Sequence, residues 1–424
     1  MVELLVAITV FALVFAAVSV GIGRALDLNR SNRNRSAGAY LAARQLEEVR
    51  STPFADVAVG RTTCVFSAPT TGCSVPSPYT VVQEVAWTSP GSTSTSCGVP
   101  SGSGAALAYK RVTVTVTWPD MAGVDPVTSQ TLLTPPGGSY DPNDGHVVVQ
   151  VFDRNALPLA GQTVTVSGPE AASVATDDDG CAFFAYLDPG TYTASLATSG
   201  YVDRQGNQPA TQAVGVVATQ IARLQFDYDR AATLAVTVAV PTGSNAVIPS
   251  GIPLTVANNQ LTVGTKSFQE SSTGSGTARS VTPLFPYLSG YQVWAGDCAD
   301  ADPAAHSGGS RGATVATTPG ASSPATVNLD AVEVLVTRLS GTPVANSNVT
   351  VQATHAADSG CASGETLTAS TRTDATGRFR LALPYGTWSI RTTTSGPTRT
   401  GISILPTPLD PVVSLIPTLV VVVV

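Results

Sequence analysis

Glu3 is the side chain whose position most needs a chemical explanation. It is the one ionisable side chain between Met1 and Gly23, in a stretch otherwise made of apolar and small residues. A carboxylate is costly in a lipid bilayer, so one that lies in such a stretch usually has a partner or a task. Glu3 is therefore a candidate functional residue.

Three other patterns suggest catalysis or metal binding, and each has a simpler explanation. The run 177–179 (Asp-Asp-Asp) offers carboxylates that suit calcium, but a solvated turn capped by one Asp explains it as well. The run 308–312 fits G-x-S-x-G, yet that motif requires a strand before it and a helix after it. The histidines, His146, His306 and His355, are predicted in loops or at strand edges. We predict no enzymatic activity and no cofactor or metal.

The cysteines indicate an oxidising exterior, because none of them shows the C-x-x-C spacing of zinc or redox sites. The candidate disulfide cysteines are Cys64, Cys73, Cys97, Cys298 and Cys361; the chain also contains Cys181. Two of the first three are predicted to close a local Ser/Thr/Gly-rich loop. Cys298 and Cys361 lie in predicted loops of the later region. Spacing alone does not choose among the pairings.

The apolar stretch has the length of a membrane-spanning helix. At about 1.5 Å per residue, residues 2–23 cover roughly the 30 Å hydrocarbon core of a bilayer. The predicted span side chains include Val2, Leu4, Leu5, Ile8, Phe11, Leu13, Phe15 and Val20. A sparser apolar stripe predicts that the helix continues to about Arg50, and Pro53 then stops the pattern.

The run from Val2 to Ile8, Val-Glu-Leu-Leu-Val-Ala-Ile, resembles the N-terminal segment of type IV pilins and pseudopilins. In that family a leader ending in Gly is cut off, and the new N-terminus is a methylated Phe. A long helix then packs first in the filament core and afterwards against a sheet. The resemblance implies that Glu3 neutralises the N-terminal amine of a neighbouring subunit. It also implies other pilin subunits and the membrane as partners.

The cleavage site and the basic leader of that family do not precede Val2. Either the sequence begins at an internal start, which we expect, or this copy cannot be processed. Two competing hypotheses remain for the helix. A plain membrane anchor is one, although Arg24, Arg30, Arg33 and Arg35 would by themselves place the following side in the cytoplasm. A cleaved signal peptide is the other, and the lack of basic residues ahead of the apolar run disfavours it.

The composition predicts a mainly β protein after the helix. The 424 residues are 12% charged and include 38 Gly and 30 Pro, as in turn-rich β-sandwiches. A net charge of −7 argues against nucleic acid as a partner. Alternating residues predict strands at 79–87 and 109–118, within a small β-rich domain over 51–136. A Pro/Gly/Asp-rich linker follows at 137–145.

Three repeats follow the linker, at residues 146–230, 231–330 and 331–417. Repeats one and three share T-D-x-x-G, beginning at Thr176 and Thr373, and a later Gly-Thr-aromatic run ending at Tyr192 and Trp388. In repeat two the match is confined to residues 284–291. These motifs resemble the carboxypeptidase-regulatory-like and Cna-B-like family of immunoglobulin-type (Ig-like) sandwiches. The aromatic residue is predicted to face inward.

The predicted fold is mainly β with one long N-terminal α-helix over residues 1–50. A small pilin-like α+β domain is followed by three tandem Ig-like β-sandwich modules. Residues 418–424 stand where a new repeat would open, and we interpret them as the first strand of a fourth module. We therefore expect the chain to be incomplete at both ends.

The predicted function is that of a minor or tip pilin-like subunit. It would be a single-pass membrane protein at the cell surface or in a pilus, with modules that serve adhesion to a surface or extracellular ligand. A membrane-anchored adhesin that does not assemble is one alternative. A pseudopilin of a type II secretion-like system is another.

Overall fold

The computed structural model describes residues 2–65, 75–88, 97, 108–119, 121, 123–137, 141, 143–269, 277–338, 340–356, 365–392, 399–404 and 418–423. One long helix, α1 (Val2–Ser51), opens the chain, and strands make up 47% of the described residues. The predicted fold class, mainly β with a long N-terminal helix, is confirmed. The predicted end of the helix near residue 50 is confirmed as well.

The last turn of α1 is closed by its own sequence. The hydroxyls of Ser51 and Thr52 both donate to the carbonyl oxygen of Glu48, at 2.7 and 3.1 Å. These bonds satisfy a carbonyl that the helix leaves without a backbone donor at its end. Pro53 has no N–H and disfavours helical geometry in the residue before it, so the helix stops there.

A four-stranded antiparallel sheet packs on the second half of α1. Its strands are β1 (Gly60–Val65), β2 (Thr80–Thr88), β3 (Tyr109–Thr117) and β4 (Val127–Leu133), in the order β1-β2-β3-β4. β2 and β3 are the two predicted strands. Val112, Val114 and Val116 of β3 are fully buried, because strict alternation turns them all to the helix side.

The first repeat forms two four-stranded sheets. Its strands are β5 (Gly145–Phe152), β6 (Thr163–Ser167), β7 (Ala171–Ala175), β8 (Cys181–Leu187), β9 (Gly190–Leu196), β10 (Tyr201–Asp203), β11 (Ala210–Val216) and β12 (Ile221–Arg230). The sheet orders are β10-β12-β5-β8 and β11-β9-β6-β7. Two sheets with buried alternating residues are the arrangement of a β-sandwich.

The later repeats also form two sheets each. Repeat two contains β13 (Ala232–Ala239), β14 (Leu254–Ala257), β15 (Thr265–Phe268), β16 (Ala278–Leu284), β17 (Gln292–Ala295) and β18 (Ser322–Asn328). Repeat three contains β19 (Asp330–Arg338), β20 (Asn348–His355), β21 (Thr366–Arg372), β22 (Arg378–Leu383), β23 (Gly386–Thr392), β24 (Arg399–Ile404) and β25 (Thr418–Val423). The orders are β16-β13-β18 with β15-β14-β17, and β22-β19-β25 with β21-β20-β23-β24.

The assignment of residues 418–424 to a fourth module is corrected by β25. This strand pairs in parallel with β19, from Glu333 opposite Thr418 to Arg338 opposite Val423. β18 pairs in parallel with β13 in the same way in the second repeat. β25 is therefore the counterpart of β18 and completes a sheet of the third repeat.

By packing, the chain divides into two compact units. The first is Met1–Phe152, Pro158–Leu196 and Thr211–Phe226, and the second is Asp153–Leu157, Ala197–Ala210 and Asp227–Val424. The division falls inside the first repeat rather than at the repeat boundary near residue 230. The predicted domain boundaries, as limits of independent modules, stay predictions.

The shared T-D-x-x-G motif is a capped turn in both repeats that carry it. Asp177 Oδ1 accepts hydrogen bonds from the backbone N–H groups of Asp179 and Cys181, at 3.0 and 2.9 Å. Asp374 Oδ1 accepts from those of Thr376 and Arg378, at 2.7 and 2.9 Å. The backbone N–H of Arg378, first among these donors, keeps the pKa of Asp374 below its ordinary value. The interpretation of 177–179 as a turn with one capping Asp is confirmed.

The Thr of the motif is also structural. The buried hydroxyl of Thr176 donates to the carbonyl of Leu159 at 2.7 Å and accepts from the N–H of Gln162. Thr373 makes the equivalent bonds to Val344 and Ser347. Each Thr therefore ties its turn to the preceding strand connection. A buried hydroxyl with both roles filled adds to stability, whereas an unpaired one would cost it.

The Gly-Thr-aromatic run supplies a core aromatic residue whose polar group donates a hydrogen bond. Tyr192 and Trp388 are fully buried, so the predicted inward orientation is confirmed. The Tyr192 hydroxyl donates to the carbonyl of Asp188 at 3.0 Å, and the Trp388 indole N–H donates to that of Pro384 at 3.0 Å. Both acceptors lie four residues earlier. The two ring types are interchangeable because each offers apolar area and one donor.

The first repeat is joined to the small sheet by a disulfide and an aromatic contact within the first unit. Cys97 and Cys181, 84 residues apart, form the disulfide. Trp87 of β2 stacks on Phe183 of β8 at 5.4 Å between ring centroids. The Tyr186 hydroxyl donates to the carbonyl of Ala108 at 2.6 Å. These contacts hold β2 and β8 together across a boundary between predicted domains.

Cys97 is therefore not one of the two cysteines that close the predicted local loop, and Cys181 was missing from the candidate disulfide cysteines. Cys181 begins β8 with a buried side chain, beside the bulky residues of the junction. Cys64 and Cys298 are also disulfide-bonded, to partners outside the described residues. The candidates Cys73 and Cys361 themselves lie outside the described residues.

Gly377→Ala tests the turn geometry. Gly377 has φ +79°, and a Cβ there would lie 2.9 Å from Pro343 Cβ and 3.1 Å from the Val336 carbonyl oxygen. Gly341, at φ +82° in the same repeat, has open space instead. We expect Gly341→Ala to cost about 1–2 kcal/mol through its left-handed backbone. Gly377→Ala should cost about 1–3 kcal/mol more through crowding. Equal urea midpoints for the two variants would refute the crowding argument.

The double variant Cys97→Ser, Cys181→Ser tests the junction. Removing a cross-link over a loop of this length should cost roughly 4–5 kcal/mol, because the unfolded chain gains freedom. Urea unfolding of both proteins, followed by near-ultraviolet circular dichroism, measures it. Tyr186→Phe keeps the disulfide and loses only hydrogen bonds, at about 1 kcal/mol. A double variant no less stable than Tyr186→Phe would contradict the assigned role of the disulfide.

Candidate membrane and assembly segment

The first half of α1 exposes its apolar side chains. Among the predicted span residues, Val2, Leu4, Ile8, Phe11, Leu13, Phe15 and Val20 have 56–75% of their surface exposed. The side chain of Leu5 lies outside the described set. α1 is long and apolar enough to cross a membrane, and none of its most apolar window is buried within the chain. The predicted span is thus one continuous, uncovered apolar helix segment.

Glu3 lies at one end of an apolar stripe on this segment. The stripe is formed by Val6, Ala7, Val10, Phe11 and Val14, which share a groove with Glu3. Their spacing, three, four, seven, eight and eleven residues after Glu3, keeps them on one helix face. A single carboxylate beside such a face can form an ion pair that is shielded from water once the face is covered.

Thr9 shows how another polar group of the segment is accommodated. Its hydroxyl donates to the carbonyl of Val6, one turn earlier, at 2.9 Å. A hydroxyl bonded to its own helix can enter an apolar environment at little cost. A carboxylate oxygen only accepts hydrogen bonds, so the Glu3 carboxylate cannot bond to a helix carbonyl as Thr9 does.

The second half of α1 is fixed on the sheet. Leu41, Ala42, Leu46 and Val49 are buried against β2 and β3. The helix approaches closely at Gly38, where a Cβ would lie only 3.1 Å from Trp118. The predicted change along the helix, from exposed apolar to amphipathic, therefore matches a change from uncovered to packed.

Hydrogen bonds between side chains align α1 with the sheet. Gln45 Nε2 donates to Gln83 Oε1 at 3.0 Å, and Arg50 Nη2 donates to the Thr131 hydroxyl at 2.8 Å. The bonds reach β2 and β4, on either side of the central strand β3. Sliding of the helix along the sheet would break both bonds.

Lys110 secures the segment that follows α1, a role that we did not predict. Its Nζ donates to the carbonyls of Phe54 and Val57, both at 2.7 Å, and lies 4.6 Å from the Phe54 ring centroid. Burial lowers the pKa of this ammonium. The alternation of the strand could have revealed that Lys110 is buried, since it shares the inward register of Val112 and Val114.

Two of the histidines predicted in loops or at strand edges are buried in strands. His146 lies in β5, where its Nδ1 accepts the backbone N–H of Tyr186 at 3.0 Å. His355 ends β20 and stacks on Trp388 at 4.1 Å between centroids. His355 continues the inward register of Val351 and Ala353, which could have revealed its burial. His306 follows a short 3₁₀ turn, Pro303–Ala305, as predicted for a loop.

His355 lies between two carboxylates in the second unit. Its Nε2 is 3.2 Å from Asp300 Oδ1, and its Nδ1 is 3.5 Å from Glu365 Oε2. Cys298, His355 and Glu365 form a group whose donor atoms lie within 4.8 Å of one another. A metal would prefer a thiolate from that cysteine. Because Cys298 is disulfide-bonded, the group does not offer the thiolate that a zinc donor set of this kind would use.

The G-x-S-x-G run lies in a loop before β18, as predicted. Ser310 Oγ accepts the backbone N–H of Gly312 at 3.2 Å. Arg311 Nε donates to Asp302 Oδ1 at 2.9 Å, and its guanidinium covers the Trp294 ring at 4.8 Å. These bonds stabilise the loop. A hydrolase nucleophile would instead sit on a strand-to-helix turn.

No family model and no curated protein matches this chain. The Bacillus anthracis TIE protein matches at 13% identity over 81% of this chain and 67% of its own, with TM-score 0.20. The minor pilin GBS52 of Streptococcus agalactiae matches at 11% over 44% and 95%, with TM-score 0.22. BcpA, the major pilin subunit of Bacillus cereus, matches at 12% over 66% and 98%, with TM-score 0.20. Superpositions with TM-scores this low carry no argument about function.

Glu365→Gln tests the buried carboxylate beside His355. Burial raises the pKa of Glu365 above its ordinary 4.5. The folded state thus holds the proton more tightly than the unfolded state, which favours folding at low pH. That contribution is lost as pH rises from about 4.5 through the folded-state pKa. We expect Glu365→Gln to flatten the fall of the thermal midpoint over this interval. The exposed Glu84→Gln is the control, and an identical pH profile for Glu365→Gln and wild type would contradict the assignment.

Proposed function

We propose that this chain is a type IV pilin-like subunit of the cell surface. The first half of α1 enters a membrane and later a filament, and the following sheets form the exposed part. Large added mass on one subunit suits a minor or tip position, because a major subunit must pack repeatedly along a filament. The modules would serve adhesion to an extracellular ligand, without catalysis by the chain.

The contrast between the two halves of α1 carries this proposal. Twelve large apolar side chains between Val2 and Ile22 are exposed, whereas the residues from Leu41 to Val49 that face the sheet are buried. Burying twelve such side chains is worth on the order of 20 kcal/mol. A free helix of this kind would therefore associate with lipid or with other apolar helices.

Glu3 favours assembly over simple anchoring. Lipid offers a carboxylate no counter-charge in the hydrocarbon core, so a pure anchor gains nothing from Glu3. A bundle of identical helices can supply one, for instance the N-terminal amine of a neighbour, as the resemblance to type IV pilins implies. The placement of Glu3 on the apolar stripe would bring it to such a helix–helix contact.

Glu3→Ala, expressed from the native gene, tests this proposal. We expect the variant to fractionate with membranes like the wild type but to be depleted from sheared filaments. Loss of one partner of a desolvated ion pair costs about 3–5 kcal/mol, enough for a depletion of more than tenfold. Thr9→Ala is the matched control, because it removes a polar group already bonded within the helix.

Equal recovery of Glu3→Ala and wild type in filaments would refute the role of Glu3. Wild-type protein that stays in the membrane and never appears in filaments would favour the non-assembling adhesin. Loss of secreted proteins on deletion of the gene, without loss of surface filaments, would favour a pseudopilin of a secretion system.

A further inference from the structure

A groove of about 870 Å³ lies beside α1 immediately after the apolar segment. α1 contributes Arg24, Asp27, Leu28 and Arg30 to it, and the segment after β3 contributes Trp118 and Met121. This volume is within the range of pockets for lipid- or drug-sized molecules. The lining is divided between cationic and apolar groups, so the groove matches an amphiphile with an anionic head.

We propose that this groove binds an anionic phospholipid of the phosphatidylglycerol type at the membrane surface. The inference rests on the proposed membrane location of residues 2–23. Those residues span about 33 Å as a helix, close to the hydrocarbon thickness of a bilayer. Arg24 follows at once, and Arg30 is about 9 Å further along the axis. The two guanidinium groups thus lie at the depth of lipid phosphates.

The arginines supply the charge complementarity. A guanidinium group binds phosphate oxygens with two parallel hydrogen bonds, which makes arginine a preferred phosphate ligand. Residues 24–35 hold four Arg and one Asp, an excess of positive charge on this part of the helix. Only Arg24 and Arg30 of the four line the groove, so the groove holds a defined pair within a more general charged region.

Asp27 selects among anionic headgroups. It lies one turn from each groove arginine, three residues after Arg24 and three before Arg30. A bare phosphate would be repelled by this carboxylate. The glycerol headgroup of phosphatidylglycerol has hydroxyls that can donate to it while the phosphate faces the arginines. Both signs of charge in the groove are then used.

The apolar part of the groove suits the upper acyl chains. Leu28 is exposed on α1, and Met121 and the largely buried Trp118 line the same groove from the sheet domain. Tyr79 packs edge-on against Trp118 at 6.2 Å, and its hydroxyl donates to Asn34 at 3.3 Å. Tyrosine and tryptophan favour the membrane–water interface, where a ring meets apolar groups and its polar atom meets water.

The test compares two double variants of the full-length chain that remove the same charge. Arg24→Gln with Arg30→Gln alters the groove, and Arg33→Gln with Arg35→Gln alters the same helix outside it. Native mass spectrometry of the purified chain in detergent, titrated with phosphatidylglycerol or phosphatidylcholine, measures the fraction carrying lipid. We expect wild type to prefer phosphatidylglycerol. The groove variant should lose about tenfold or more in that affinity through its lost charged hydrogen bonds, and the control should lose little.

Leu28→Asn leaves the charge of the groove unchanged and should also weaken lipid binding. Inorganic phosphate should compete poorly with phosphatidylglycerol for the groove. Equal losses in both double variants would reduce the effect to general surface charge and overturn the proposal. Phosphate competing as well as the lipid would do the same. The proposal would also be overturned if the Arg24→Gln, Arg30→Gln variant kept its preference for phosphatidylglycerol but was lost from filaments. That result would assign the groove to a second copy of the chain. Co-elution of wild type with lipid nanodiscs separately tests the membrane location, and its failure would refute both proposals.

Discussion

The packing of α1 against the four-stranded sheet fixes the direction in which the apolar half of the helix extends. Leu41, Ala42, Leu46 and Val49 cover the valines of β3, and Gly38 allows close approach to Trp118. α1 is continuous from Val2 to Ser51, so fixing its second half fixes the direction of its first half. A flexible connection would let the apolar segment change its direction relative to the sheet. Here the helix itself transmits orientation, because a continuous helix bends only gently.

Contacts within the same unit also fix part of the first repeat on the small sheet. Trp87 and Phe183 stack, Tyr186 bonds to Ala108, and Lys110 holds the segment after α1 against the same region. With the Cys97–Cys181 disulfide, this junction combines apolar, polar and covalent contacts. The helix, the small sheet and most of the first repeat thus belong to one compact unit.

The sequence predicted those features that local patterns determine. Alternation located β2 and β3, the apolar run located α1, and T-D-x-x-G located the turns at Asp177 and Asp374. It missed the same Asp-capped turn at Asp153 and Asp203, whose side chains accept backbone N–H groups two and four residues later. At Asp153 the left-handed position is held by Ala156 rather than Gly, so the motif was hidden.

The pairing of Cys97 with Cys181, the burial of His355 and the place of β25 depend on long-range contacts that no local pattern encodes. Of the candidate site, the apolar stripe and Glu3 were predictable, whereas the groove beside Arg24 required the fold.

The Cys97–Cys181 disulfide changes what happens when the chain is pulled from its two ends. Tension that enters through α1 crosses the sulfur–sulfur bond and leaves through β8, so residues 98–180 lie in a closed loop outside the stretched path. Extended, that loop would be roughly 270–300 Å of chain. β3, β4 and the linker before β5 therefore cannot be drawn out while the disulfide is intact. Under tension, the chain with this disulfide therefore lengthens less when the first unit opens, and reduction of the one bond would add the length of the loop.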